Sequence, residues 1–192
     1  MSDKHATVGV EMLHYAIATV AADGTVTYDL PVKISDAQKI TITPKTTTDK
    51  YYADDTTADI VNSFDGCDVG IETYGIKNEI LAALEGHEVD ANGVVIENAN
   101  DEPPYIALGF RSRKRNGKYR YIWLLLGKKK PGNEEYETIK EKQEPKSAVM
   151  PFEFVQCANG NWRYKIDEDD PAAPIGLETK WFAKVYDGSF PA

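Results

Sequence analysis

Three histidines, two cysteines and one acidic tetrad are the side chains of this sequence whose types could carry chemistry. His5, His14 and His87 are scattered, and none has a Cys, Asp or His at ligand spacing, so no metal site is expected. Cys67 and Cys157 show no CxxC pattern and fall in apparent strands, where they read as buried, reduced thiols. Asp167-Glu168-Asp169-Asp170 could attract a cation, yet it lacks the glycine and spaced ligands of a calcium loop, and Pro171 follows at once. It reads as a solvated acidic turn. No GxSxG, Walker or dinucleotide-binding glycine pattern occurs, and no serine has a matching base in view. Carboxylates are abundant, but nothing singles out a catalytic pair. The expectation is a protein that is not an enzyme and uses no cofactor.

Charge is the more informative chemistry. The net charge of -9 argues against a general nucleic-acid binder, because phosphate contacts need an excess of Lys and Arg. That average hides a segregation: from Arg111 to Lys130 there are nine basic residues and no acidic one. The rest of the chain carries 13 basic against 31 acidic side chains. Arg111, Arg113, Lys114, Arg115, Lys118 and Arg120, interleaved with Tyr119 and Tyr121, admit three readings. They could form a nucleic-acid stripe, a solvated hairpin tip, or a basic patch that docks on the acidic surface of the next copy. A strongly acidic chain favours the third.

The elements that must position these residues are mostly strands. Val8 to Val20 alternates Leu13, Tyr15 and Ile17 on one face, Asp23-Gly24 marks a tight turn, and Thr25 to Tyr28 supplies the partner. Lys39 to Thr43 and Cys67 to Thr73 form a second pair. Between them Pro44 to Phe64 is rich in Thr, Asp and Tyr and poor in aliphatics, which predicts a long excursion or projecting hairpin that gains order from a partner. A helix is expected from Ile76 to Glu85, with its apolar stripe on Ile76, Ile80, Ala83 and Leu84 and its stop at Gly86. Tyr105 to Leu126 folds about Asn116-Gly117. Residues 128–146 read as an exposed arm anchored only by Tyr136 and Ile139. Phe152 to Phe154 and Trp162 to Ile166 predict another hairpin about Asn159-Gly160, and Trp181 to Tyr186 a last strand. One domain over residues 1–192 is expected, a mainly β rolled sandwich or barrel with one packed helix and long projecting loops. No run is long and apolar enough to span a bilayer, and Met1 to Thr7 is polar, so the chain is expected to stay in the compartment that makes it.

Several blocks, taken in order, resemble the major tail tube proteins of long-tailed phages. They are Val8-Gly-Val10 with Leu13-His-Tyr-Ala16, Tyr51-Tyr-Ala-Asp-Asp55, and Ala83-Leu-Glu-Gly-His87 before Asn92-Gly93. Pro104 to Phe110, Asn116 to Trp123, Leu126-Gly-Lys128, Glu134-Glu-Tyr136 and Trp162 to Asp170 continue the series. Residues 171–192 match nothing in that pattern, and the Arg111 to Arg115 run is more basic than the family's. The resemblance implies a subunit that forms hexameric rings, stacked into a tube that carries DNA. Its partners would be further copies of itself, a tape measure and a tail terminator, with DNA in non-specific transit and no membrane. It would be made and assembled in the bacterial cytoplasm and end in the virion tail. The segment from Ile40 to Asp68 would then be the lumen-facing insert, with Asp49, Tyr51, Tyr52, Asp54, Asp55 and Asp59 at its tip. Arg111, Arg113, Lys114, Arg115, Lys118 and Tyr136 would meet neighbouring subunits. From Asp49 to Glu72 there are seven acidic residues and one lysine, a sign that suits a conduit because it repels phosphate. Two rival readings stand beside this one. The first is a carbohydrate- or protein-binding sandwich using Trp162, Tyr164 and Trp181, and the second is the tube subunit of a contractile secretion system.

Overall fold

A computed structural model describes residues 6–35, 37–53, 56–73, 75–132 and 148–191, with the backbone alone at 49–53, 56–61 and 148. The fold is mainly β. A sheet of nine strands takes the order β2-β1-β8-β9-β10-β5-β4, with β3 added to β1 and β11 to β9. Its members are β1 (Thr7–Val20), β2 (Val26–Tyr28), β3 (Val32–Lys33), β4 (Ala37–Ala53), β5 (Thr56–Thr73), β8 (Ile106–Lys114), β9 (Tyr119–Lys129), β10 (Ala148–Val155) and β11 (Arg163–Asp167). Helix α1 (Asn78–Glu85) and the two-stranded ribbon β6 (Glu88–Val89) and β7 (Val95–Ile96) lie between β5 and β8.

The sheet is apolar on both faces at its centre. On β9, Ile122 and Leu124 enter one core while Tyr121, Trp123 and Leu125 enter the other. The first core also takes Leu13 and Tyr15 of β1, Ile106, Leu108 and Phe110 of β8, Phe152 and Phe154 of β10, and Cys67, Val69 and Ile71 of β5. Strands β1 and β4, at or near opposite ends of the strand order, approach each other without pairing, so the sheet is rolled around this core. Leu84 of α1 is fully buried within it, and Gly86 closes the helix in the left-handed region (φ 80) with its N–H donated to the Ala82 carbonyl.

The second core is roofed by a helix where a strand was expected. α2 (Leu177–Ala183) places Leu177 and Trp181 on the sheet, and Val185 follows in the chain just beyond it. The spacing i, i+4, i+8 begins four residues before the Trp181 to Tyr186 window that looks alternating, and the helical period prevails. The described residues thus hold two helices rather than one. The expected hairpin about Asn159-Gly160 is also corrected. β10 and β11 both pair with the same edge of β9, β10 over Leu126 to Lys129 and β11 over Arg120 to Leu124. The Asn159-Gly160 turn exists, since Cys157 N–H donates to Asn161 O at 2.8 Å, but the chain leaves it in its original direction. β9 has more edge groups to satisfy than β10 can reach. Strand β9 also continues to Lys129, into the stretch expected to be an exposed arm; residues 133–147 of that arm, Tyr136 among them, lie outside the described residues.

Close packing of the aromatics rests on two glycines. Gly109 faces Trp123 across β8 and β9, and a Cβ there would stand 2.5 Å from the indole ring. Gly127 faces Phe154, whose ring would meet a Cβ at 2.6 Å. Both rings are fully buried and have no room to withdraw. Gly109→Ala is expected to destabilise the chain by about 1–3 kcal/mol through overpacking, read by urea unfolding with an unchanged slope.

Candidate assembly surfaces

The first candidate surface is the β4–β5 hairpin. Only its proximal half is stitched to the sheet: Cys67 to Thr73 pair with β10 on one side and with Ala37 to Pro44 on the other. Beyond Lys45 and Gly66, residues 46–53 and 56–64 pair, among the described residues, only with each other, which at about 3.3 Å per residue is a two-stranded ribbon roughly 25 Å long. Asp49, Tyr51, Tyr52 and Asp59 lie in this ribbon by register, Asp49 opposite Val61 and Tyr51 opposite Asp59. Asp54 and Asp55 lie outside the described residues.

Where the ribbon leaves the sheet it is fastened by two devices. Phe64 stacks on Trp162 (centroids 4.8 Å, 23°), and the Arg163 guanidinium lies 4.3 Å over the indole, which ties β5 to the start of β11. Lys45 and Lys130 also each bridge Asp68 and Glu153 at 2.9–3.1 Å, a closed quartet joining β4, β5, β10 and the end of β9. The two lysine side chains hold both carboxyls below their ordinary range. These groups are exposed, so the quartet fixes geometry more than it adds stability.

The second candidate surface is the basic hairpin of β8 and β9, turned at Asn116-Gly117 with Gly117 in the left-handed region (φ 83). Its charge is largely consumed inside the subunit. Arg111 donates to Glu11 (2.9 Å) and Glu178 (2.6 Å) and lies 4.1 Å over the Tyr119 ring. Lys114 is 1% exposed and bridges Asp167 (3.0 Å) and Asp169 (2.5 Å). Burial opposes its charge, but Asp169 and Asp167 outweigh it and raise the pKa. Arg120 makes two hydrogen bonds to Asp167 (2.6 and 2.8 Å), and Lys118 reaches Glu168 at 3.2 Å. Lys129 is buried against Glu85, and Lys128 stands 4.6 Å over the Tyr105 ring. With Lys130 in the quartet, Arg113 and Arg115 are left exposed and without a partner among the described residues.

The solvated acidic turn and the basic hairpin tip of the sequence reading are therefore one structure. Asp167, Glu168 and Asp169 meet Arg120, Lys118 and Lys114. Arg111 and Lys114, both expected to face a neighbour, are occupied within the chain. The signal for this was present as an acidic cluster and a basic cluster, but nothing in sequence separates an internal partner from an external one. His87 is likewise drawn into a cluster, its Nδ1 2.7 Å from Asp101 and its Nε2 3.3 Å from Glu85. The aromatics proposed as a sugar platform do not come together as a set: Tyr164 and the 2% exposed Trp181 line one small pocket with Tyr186 and Phe190, while Trp162 packs toward the other core. No protein-family model matches this chain, and no curated protein matches it.

Three predictions follow from the charge geometry. Lys114→Glu sets a third carboxylate against Asp167 and Asp169 in a dry site and is expected to cost about 3–5 kcal/mol in urea unfolding. The pair Arg113→Glu and Arg115→Glu, made together, should leave the unfolding midpoint where it is. Asp167 is held down to about 2, chiefly by its hydrogen bonds to Arg120 and then by Lys114, against the pull of burial. A depressed carboxylate contributes stability that is full above its unfolded value near 3.8 and is lost as pH falls through the folded value. Asp167→Asn should therefore lower stability by about 2 kcal/mol at neutral pH and flatten the loss between pH 4 and 2. Equilibrium unfolding across that range reads both effects.

Proposed function

We propose that the chain is a structural subunit of a phage tail tube, assembling into stacked hexameric rings around a DNA conduit. The observation that carries this reading is the β4–β5 hairpin, whose distal half pairs with no other strand among the described residues. An isolated two-stranded ribbon is marginal in water, and one so long needs further strands beside it. Copies of the same chain would supply them. The ribbon is also acidic, residues 46–64 holding Asp49, Asp54, Asp55 and Asp59 against Lys50, so a lumen lined by it would slide along phosphate rather than bind it.

The ordered motif resemblance from Val8 to Asp170 supports the same reading. The basic hairpin takes a smaller part in it than its sequence suggests, since its free cations reduce to Arg113 and Arg115. A tube subunit of a contractile secretion system shares this architecture and differs by genetic neighbourhood, where a tape-measure gene should accompany a phage tube gene.

Electron microscopy of the purified protein at high concentration, with and without tail tips as nuclei, tests the proposal. Rings or tubes are expected. Excision of Thr48 to Asn62 and its replacement by a two-residue turn should leave a folded monomer with unchanged near-ultraviolet circular dichroism and abolish assembly. Tubes built as readily by the excised chain would remove the ribbon from the mechanism.

A further inference from the structure

The roll is left open along one seam. On the edge of β1 that faces away from β8, β3 pairs at His14 and Tyr15 and β2 at Ala18 to Val20, so among the described residues Thr7 to Met12 have no partner strand on that side. The outer edge of β4 is unpaired among the described residues. Both edges border one cleft of about 450 Å³. Its floor is apolar, made by Val10, Ile40, Ile42, Phe110 and Ile122. Its polar rim carries Lys39, Arg120, Arg163 and Lys165 and no carboxylate.

Two of these cations are already matched: Lys39 pairs with Glu72 at 2.9 Å and Arg120 with Asp167. Arg163 lies on Trp162, and neither it nor Lys165 has a carboxylate partner among the described residues. On a chain of net charge -9, a groove with an apolar floor, two unpaired strand edges and two uncompensated cations is a site for an acidic peptide segment with apolar anchors. This chain contains one. Glu134-Glu135-Tyr136-Glu137-Thr138-Ile139 has three carboxylates, no base, and the two apolar side chains Tyr136 and Ile139.

We infer that the cleft between β1 and β4 receives residues 134–139 of a second copy of the chain, held by Arg163 and Lys165 at the rim and by Tyr136 and Ile139 on the floor. The inference rests on the self-association in the function proposed above, though not on tubes or DNA. It gives the segment a task distinct from that of the acidic ribbon.

The test uses the full chain. As acceptor serves a variant with Glu134→Lys, Glu135→Lys and Glu137→Lys, whose own segment no longer competes, and as probe a fluorescent peptide of residues 133–147. Anisotropy is expected to show saturable binding that weakens with salt and falls about tenfold or more on adding Lys165→Glu, with Arg163→Lys as a milder second variant that keeps the charge. Unchanged affinity with Lys165→Glu, or no binding, overturns the inference. Sedimentation velocity of the otherwise native chain then decides between a second copy and the same copy. Lys165→Glu should shift association to higher concentration, and restoring charge complementarity by combining it with the three lysine substitutions should bring it back. Peptide binding combined with unaltered sedimentation would place the segment in its own cleft and overturn the claim. Peptide binding without tubes counts against the tube reading alone, whereas tubes formed equally well by Lys165→Glu count against this inference alone.

Discussion

Strand β9 is the constraint on which the rest of the molecule depends. It is buried on both faces from Tyr121 to Leu126, so each face must be covered by a separate layer. The rolled sheet and α1 cover one, and α2 with the chain after it covers the other. Its edges impose as much as its faces. One edge is taken by β8, and the other is divided between β10 and β11 around the Asn159-Gly160 excursion. Because β10 is held by β9, it can hold β5, and β5 in turn carries β4. The projecting ribbon is thus cantilevered from β9 through two strands, with the Phe64 and Trp162 stack and the lysine quartet at the point where it departs.

The same strand explains the location of the charge. The turn between β8 and β9 brings Lys114, Lys118 and Arg120 into a small space, and β11 is placed by its pairing with Arg120 to Leu124. That pairing delivers Asp167 opposite Arg120 and the following Glu168 and Asp169 beside Lys118 and Lys114. Neutralisation here is a consequence of register. A cation on the hairpin tip that the register does not reach, such as Arg113 or Arg115, stays in water. Lys114 shows the opposite case, a charge tolerable at near-zero exposure only because two carboxylates meet it.

Most of the strand pattern was legible in the sequence because it depends on local signals. The turns at Asp23-Gly24, Asn92-Gly93 and Asn116-Gly117 sit where glycine takes positive φ, and Gly86 ends α1. Signals that concern distant pairing were not legible. Trp181 to Tyr186 alternates like a strand, and only the position of Leu177 over the second core reveals the helical period. Phe152 to Phe154 and Trp162 to Ile166 flank a good turn, and only the long free edge of β9 shows why they do not pair with each other. At the candidate sites the projecting ribbon could be read from its composition. The counterions of the basic hairpin could not, because charge along a chain carries no information about which cluster is adjacent in space.

The outer edge of β4 brings these strands of argument together. Along a strand of seventeen residues, an outer edge unpaired among the described residues invites pairing with any extended chain, and proteins interrupt such edges with lysine and proline. β4 carries Lys39, Lys45 and Lys50, and Pro44 lacks an N–H at the point where the proximal half gives way to the ribbon. The proline divides one long edge into two shorter ones with different surroundings. The half from Ala37 to Thr43 borders the cleft with the basic rim, while the half beyond Lys45 runs out with the acidic ribbon. A strand of one sign cannot serve both halves equally, since an acidic segment is attracted by Arg163 and Lys165 and repelled by the ribbon. Surroundings of opposite sign along a single strand therefore sort what each half can accept.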